Sequence, residues 1–407
     1  MEHIRTLLAR QGIYDKTGAI CAYELLYRNG NSATSDVDNF SALSGDAATS
    51  SVITQLFTNL DLDLIIGDKP AFINFTHNHI IQQIPRLLPK HRIVIEVLET
   101  VVLDEPLIAS LINLHKRGYR IALDDFVFKE EAAPLIEVAD YIKIDVLNFN
   151  KQQIKEQLAP LQGYKGKFLA EKIEDKTQFH TCIDLGFDYF QGFFLNKPDP
   201  QKGQVITESK ANLLQLLTEL NNESVTIDRI ETIILQIPKL SYRILRLANS
   251  AALYKGRSID SLLDAISQLG LVQIRNWLSL LMLASLDDLA PDLIERTLIR
   301  AKMCESLAQA TGYRNSHQAY TVGILSTLEG MLNEPMASLL SKIHLSDVLN
   351  NALLHHQGEL GQILKFAIDY EEANFKDLEK SNIDPEALTE AYLEGIEYAG
   401  TMINQMN

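Results

Sequence analysis

Short runs of β-forming residues, most with a polar or charged group in their last part, alternate with helical stretches through the first half of this chain. The runs are "AICAYELLYR", "AFINFT", "RIVIEVLE", "RIALDDF", "YIKIDV", "KFLAEKI" and "YFQGFF". Between them lie amphipathic segments such as "DEPLIASLINLHKRGY", closed at Gly118 as helices commonly are. Strand–helix alternation repeated this often argues for a parallel sheet, and over roughly 200 residues a closed α/β barrel of the TIM type is the leading arrangement.

After "NKPDPQKGQ" (Asn196 to Gln204) the pattern changes, with two prolines and a glycine marking a break. The remainder has helical spacing and no strand pattern, as in "ANLLQLLTEL", "SLLDAISQLG" and "RTLIRAKMCESLAQATG". Its leucine stripes at three- and four-residue spacing read as core-facing helix surfaces. The expected organisation is therefore a barrel over 1–202 and an all-α domain over 203–407.

Charge narrows the function classes. A formal net charge of −16 on 407 residues disfavours non-specific binding to DNA or to an anionic membrane. Three cysteines far apart in sequence, Cys21, Cys182 and Cys304, fit packing roles in a reducing compartment and supply no zinc motif. The start, "MEHIRTLLARQG", has no apolar signal core, and no apolar run is long enough to span a bilayer, so a cytoplasmic location is expected.

The polar groups of the β-rich runs carry the chemical expectation. They are Glu24, Asn74, Glu96, Asp124 with Asp125, Lys143 with Asp145, Glu171 and Gln191. In a parallel barrel all strand C-termini open on one face, where active sites of that fold lie. Taken singly, each of these acids is more often a solvated strand-end carboxylate or a helix cap than a ligand. Gathered in one mouth with Lys143 as the only cation among them, they would repel each other strongly. Divalent cations resolve that, because carboxylates plus an amide carbonyl suit Mg²⁺ or Mn²⁺. Adjacent aspartates can bridge two ions, an arrangement used for attack of water on a phosphodiester.

With "YELLYR", "FINFT", "IEVLE", "LDDF", "IKID", "AEKIE" and "FQGFF" in order, the first half resembles the EAL domain, a family of cyclic di-GMP phosphodiesterases on a TIM-like barrel. The resemblance implies Glu24, Asn74, Glu96 and Asp124 as ligands of a first metal, and Asp124, Asp125 and Glu171 around a second. It implies Lys143 and Gln191 beside the attacking water, Gln11 and Arg28 at the substrate, and Asp145 and Glu174 in support. The second half, through "LSYRILRLANSAAL" and "YTVGILSTLEGML", resembles the HDOD module, and the pairing is that of YuxH-like proteins. No His-Asp dipeptide occurs in the chain, and Ser326-Thr327 stands where the metal-binding pair of related hydrolases would lie, so this module is expected to serve regulation or protein-partner binding. His355-His356 reads as a solvated or core-edge pair, since adjacent helical side chains diverge.

Two segments depart from the family pattern. The stretch after the signature lacks the usual run framing the guanine pocket, and the loop "DDFVFKE" lacks the glycines linked in the family to metal occupancy and dimer contacts. Val127 and Phe128 do not readily take positive φ, so that loop is expected to follow another path. The expectation is a working hydrolase of cyclic di-GMP to pGpG, with motility and biofilm control implied by the family and a homodimer as one allowed assembly. The competing expectation is a catalytically weak or inactive signalling adaptor that binds cyclic di-GMP or a protein.

Overall fold

The computed structural model describes residues 6–29, 62–128 and 132–192, isolated positions between 226 and 278, and 291–406 except 333, 343, 344, 380 and 382. The boundary expected near residue 203 and the segment after the signature lie outside the described residues.

Eight strands close into a barrel in chain order. They are β1 (Thr6–Tyr14), β2 (Ile20–Asn29), β3 (Ala71–Phe75), β4 (Ile93–Val97), β5 (Arg120–Leu123), β6 (Tyr141–Asp145), β7 (Lys167–Ile173) and β8 (Tyr189–Gly192). From β2 to β8 each strand runs parallel to the next, and a helix such as Glu105–Lys116 or Lys176–Asp184 fills the crossover. The wholly parallel sheet expected from the alternation is corrected at β1, which is antiparallel to both β2 and β8. Only Asp15–Ala19 separate β1 from β2, and a parallel connection needs a crossover of about a dozen residues or more. Asp15 fixes that turn: its amide donates to the Ala19 carbonyl at 2.9 Å, and its carboxylate accepts from the Thr17 amide at 2.8 Å.

Strand side chains alternate faces, and here the alternation builds two layers inside the barrel. The floor is a buried cluster of Ile13, Ala22, Phe72, Val94, Ala122 and Leu169, with Cys21, Tyr141 and Tyr189 packed against it. Tyr141 stacks edge-on against Phe72 with centroids 5.1 Å apart. Residues between floor positions, such as Ile73, Ile95 and Ile121, face outward and are fully buried beneath the surrounding helices. That double burial is why β4 reads as a nearly continuous apolar run.

At the β7–β8 seam, Ile173 pairs with Gly192, whose φ is +145°. A Cβ there would lie 2.1 Å from the Ile173 carbonyl oxygen, so only glycine allows this approach. The cysteines are free thiols; burial pushes Cys182 up to about 12 and Cys21 up to about 11.

The chain divides into two compact units, Met1–Leu195 with Asp369–Thr389, and Asn196–Ile368 with Glu390–Asn407. The described elements of the second unit are all helices. Its helices Pro291–Ala310 and Ser316–Leu325 pack backbone to backbone: a Cβ on Gly323 would stand 2.5 Å from the Ala301 Cα. No helix among the described residues is long and apolar enough to cross a membrane.

Candidate active site in the barrel mouth

Two residues beyond each floor position, towards the mouth, every strand presents a polar side chain or continues into one. Counting two onward from Ala22, Phe72, Val94, Ala122, Tyr141, Leu169 and Tyr189 gives Glu24, Asn74, Glu96, Asp124, Lys143, Glu171 and Gln191. Because β1 runs the other way, two residues back from Ile13 gives Gln11, directly across from Glu24 in the ladder. Eight side chains drawn from 180 positions of sequence therefore share one layer by strand period alone.

Lys143 is the centre of that layer and is 0% exposed. Its ammonium lies 2.7 Å from Asp124, 2.8 Å from Glu171 and 3.2 Å from Glu24, and it is also paired with Glu96. Gln191 donates from its amide nitrogen to Glu24 at 2.6 Å and to Gln11 at 2.9 Å, and Asn74 lies 3.5 Å from Glu24. The Asp124 amide donates to the Val97 carbonyl at 2.9 Å, which seats this residue at the top of β4 although β5 has ended.

One ammonium faces four carboxylates, and the imbalance appears in their proton affinities. Burial, reinforced by the charges of Glu24 and Asp124, holds Glu96 well above the usual carboxylate range despite Lys143. Glu171 is raised in the same way, by burial first and by Asp124 and Glu24 against the pull of Lys143. Burial alone would lower Lys143, but Glu171, Glu24, Glu96 and Asp124 outweigh it and keep the ammonium charged. The cluster holds its lysine charged and cannot comfortably hold all its acids so.

The donor chemistry of this layer fits a hard divalent cation. It offers carboxylate and amide oxygens only, and the buried atoms Glu96 Oε2, Glu171 Oε2 and Gln191 Oε1 have no hydrogen-bond partner among the described residues. No group of three or more His, Cys, Asp or Glu side chains among the described residues stands at metal-holding spacing; their oxygens close on Lys143 instead.

An outer tier lies beyond the layer. Asp125 takes a left-handed backbone, φ +40°, and so it is here, and not at Val127 or Phe128, that the loop turns. The Phe126 amide then donates to the Lys143 carbonyl at 3.0 Å, while Val127 and Phe128 are exposed and 129–131 lie outside the described residues. Asp145 ends β6, and one of its oxygens accepts from the Leu147 amide at 2.7 Å. Lys143 is not the only cation of the mouth, which corrects that expectation: Lys172 lies 2.6 Å from Asp145 and 3.5 Å from Asp125. Alternation would turn Lys172 away from Glu171's side; a register shift in β7 between Ala170 and Ile173 brings it back, and nothing in the sequence announces that shift.

Of the remaining expected residues, Glu174 is exposed ahead of the helix Lys176–Asp184, outside the layer. Arg28 lies on β2 opposite Leu7, and its side chain falls outside the described residues. In the second unit, the Ser326 hydroxyl donates to the Gly323 carbonyl at 2.8 Å and accepts from Arg300 at 3.1 Å, and the Thr327 hydroxyl lies 2.9 Å from the Ile324 carbonyl and 2.8 Å from the Thr297 hydroxyl, so both are committed within the helices. His355 ends the helix Asp347–His355 and His356 caps it, both exposed.

Fold and mouth define a barrel with an acid-rich, lysine-centred polar layer, followed by a helical module. A family model of the EAL domain matches residues 16–198, and one of the HDOD domain matches residues 208–333. The protein YuxH of Bacillus subtilis (strain 168) is 30% identical over 412 residues, 98% of this chain and 100% of that protein. The cyclic di-GMP phosphodiesterase CdgJ of Vibrio cholerae serotype O1 is 30% identical over 383 residues, 92% of this chain and 87% of that one. Among solved structures, an EAL domain protein from Listeria monocytogenes EGD-e is similar with a TM-score of 0.37 at 20% identity, covering 49% of this chain and 90% of that chain. The chain belongs to the EAL–HDOD family of two-domain signalling proteins.

Proposed function

We propose that the barrel hydrolyses cyclic di-GMP to linear pGpG with the aid of Mg²⁺ or Mn²⁺, and that the helical module binds a protein partner. The observation that carries this reading is the single buried layer of oxygen-bearing side chains from separate strands, with carboxylate oxygens left unpartnered beside one lysine. That a relative matched along 92% of this chain is named a cyclic di-GMP phosphodiesterase supports the choice of substrate.

Glu24, Asn74, Glu96 and Asp124 would hold one ion, and Asp124, Asp125 and Glu171 a second. When bound, such ions acidify a water and offset charge on the phosphodiester. The chain's own groups do the rest. Lys143, kept charged by its carboxylates, holds an attacking oxygen by hydrogen bonding. Gln191, its amide nitrogen already committed to Glu24 and Gln11, offers its carbonyl oxygen to a proton of that water. Glu171 Oε2 is assigned the proton as the oxygen bonds to phosphorus; the P–O3′ bond breaks, and the departing 3′-oxygen takes a proton from solvent to become the 3′-hydroxyl of pGpG. Gln11 and Arg28 are assigned to the bound dinucleotide, with Asp145 and Glu174 in supporting places. In the helical module the committed hydroxyls of Ser326 and Thr327 fit partner binding better than chemistry.

A second reading, a catalytically weak or inactive adaptor binding cyclic di-GMP or a protein, draws on the grip of four carboxylates on Lys143. Incubation of the full chain with cyclic di-GMP and Mn²⁺, with the products resolved by chromatography, separates the two. The hydrolase reading expects pGpG, and a loss of at least about a hundredfold in Glu24→Ala. Binding without turnover at enzyme concentrations near the substrate's selects the adaptor.

A further inference from the structure

We infer that Lys172 is a tethered cation of the outer mouth, competing with the second divalent ion for Asp125. The inference rests on the metal-site reading above and concerns how that site is filled. Its first support is backbone. Lys172 has φ +56° at the β7 irregularity, and its partner Asp125 has φ +40°. L-residues seldom adopt that region, and a long side chain gains nothing from it locally. Two residues on different strand ends both leave extended geometry, and the result is that their side chains meet.

The second support is the allotment of oxygens. Asp145 is used on both sides, by the Leu147 amide at 2.7 Å and by the Lys172 ammonium at 2.6 Å. Asp125 is used on one side only, at 3.5 Å from Lys172, while its buried Oδ1 has no partner among the described residues. Lys172 thus anchors on Asp145 and reaches Asp125, leaving Asp125 one oxygen for another cation. Its side chain is 48% exposed, so the ammonium can withdraw into solvent, whereas Lys143 is enclosed by four carboxylates. An ammonium beside the second ion's carboxylate repels that ion, and at these distances the repulsion is felt even with partial screening. The consequence falls on the second ion, which fills its site only at a higher concentration than it would without the Lys172 ammonium.

The test is Mn²⁺ binding to the full chain without substrate, followed through the free-ion electron paramagnetic resonance signal. In wild type the ion at Asp125 should bind more weakly than in variants that lack the Lys172 ammonium. Lys172→Asn, a residue that tolerates left-handed backbone, should tighten the second ion by about tenfold and leave the first unchanged. Lys172→Gly should do the same, and so keeps the test sound if the asparagine variant folds poorly. Lys172→Arg should restore the wild-type isotherm. Superimposable isotherms for wild type, Lys172→Asn and Lys172→Gly overturn the inference and leave the metal site standing. Absence of Mn²⁺ binding in all of them overturns the metal-site reading and this inference with it.

Discussion

Lys143 carries four carboxylate contacts at 0% exposure, and no other residue among those described has so many opposite charges to answer for. Removing one partner of a buried charge cluster leaves the others uncompensated, at about 3–5 kcal/mol. Lys143→Met should therefore lower the urea midpoint of unfolding in EDTA by a corresponding amount, with Mn²⁺ recovering part of it. A variant as stable as wild type in EDTA would mean that the carboxylates take up protons freely and that Lys143 is not their organiser. The identities of the inner residues were legible in sequence because strand period and fold place polar groups at one end. Lys172 was not legible, because period-two reading turns it outward and the irregularity that reverses it has no residue signature. Asp125 was read as a ligand, but not as the residue that bends the loop.

At the scale of elements, the layer two residues above the floor explains why the site survives altered loops: strands, not loops, hold its inner ring. The strand missed in the sequence was β1. "TLLARQGIY" mixes a buried arginine, a glutamine and a glycine into an apolar run, and its pairing, antiparallel on both sides, breaks the strand–helix alternation that revealed the others. β8 pairs with β1 only at Ile13 and Tyr14, leaving the N-terminal half of β1 with an edge. Within the first unit the returning segment Asp369–Thr389 answers this edge: the Tyr370 hydroxyl donates to the Leu8 carbonyl at 2.8 Å and accepts from the Leu8 amide at 3.3 Å. A buried donor and acceptor left unpaired cost about 1–3 kcal/mol, so Tyr370→Phe should show that loss in equilibrium unfolding. No change would mean that the hydroxyl is replaceable by water and that the edge is not closed there. Nothing in the sequence near residue 370 points to a strand far upstream.

For the whole molecule, a net charge of −16 and an anionic substrate are compatible only if cations stand between them. Among its described side chains the barrel supplies Lys143 within and Lys172 without, and Arg28 and divalent ions are proposed to supply the remainder. The change from strand–helix alternation to helix alone was legible, because hydrophobic period reports element type over long windows. What the helical module recognises was not, since partner choice lives in surface detail that period does not encode. The most direct test is anomalous diffraction at the manganese edge from crystals of the full chain soaked in Mn²⁺. The expected result is a peak bonded to oxygens of Glu24, Glu96 and Asp124, and another beside Asp125. Saturating Mn²⁺ with no peak anywhere in the barrel mouth would contradict it.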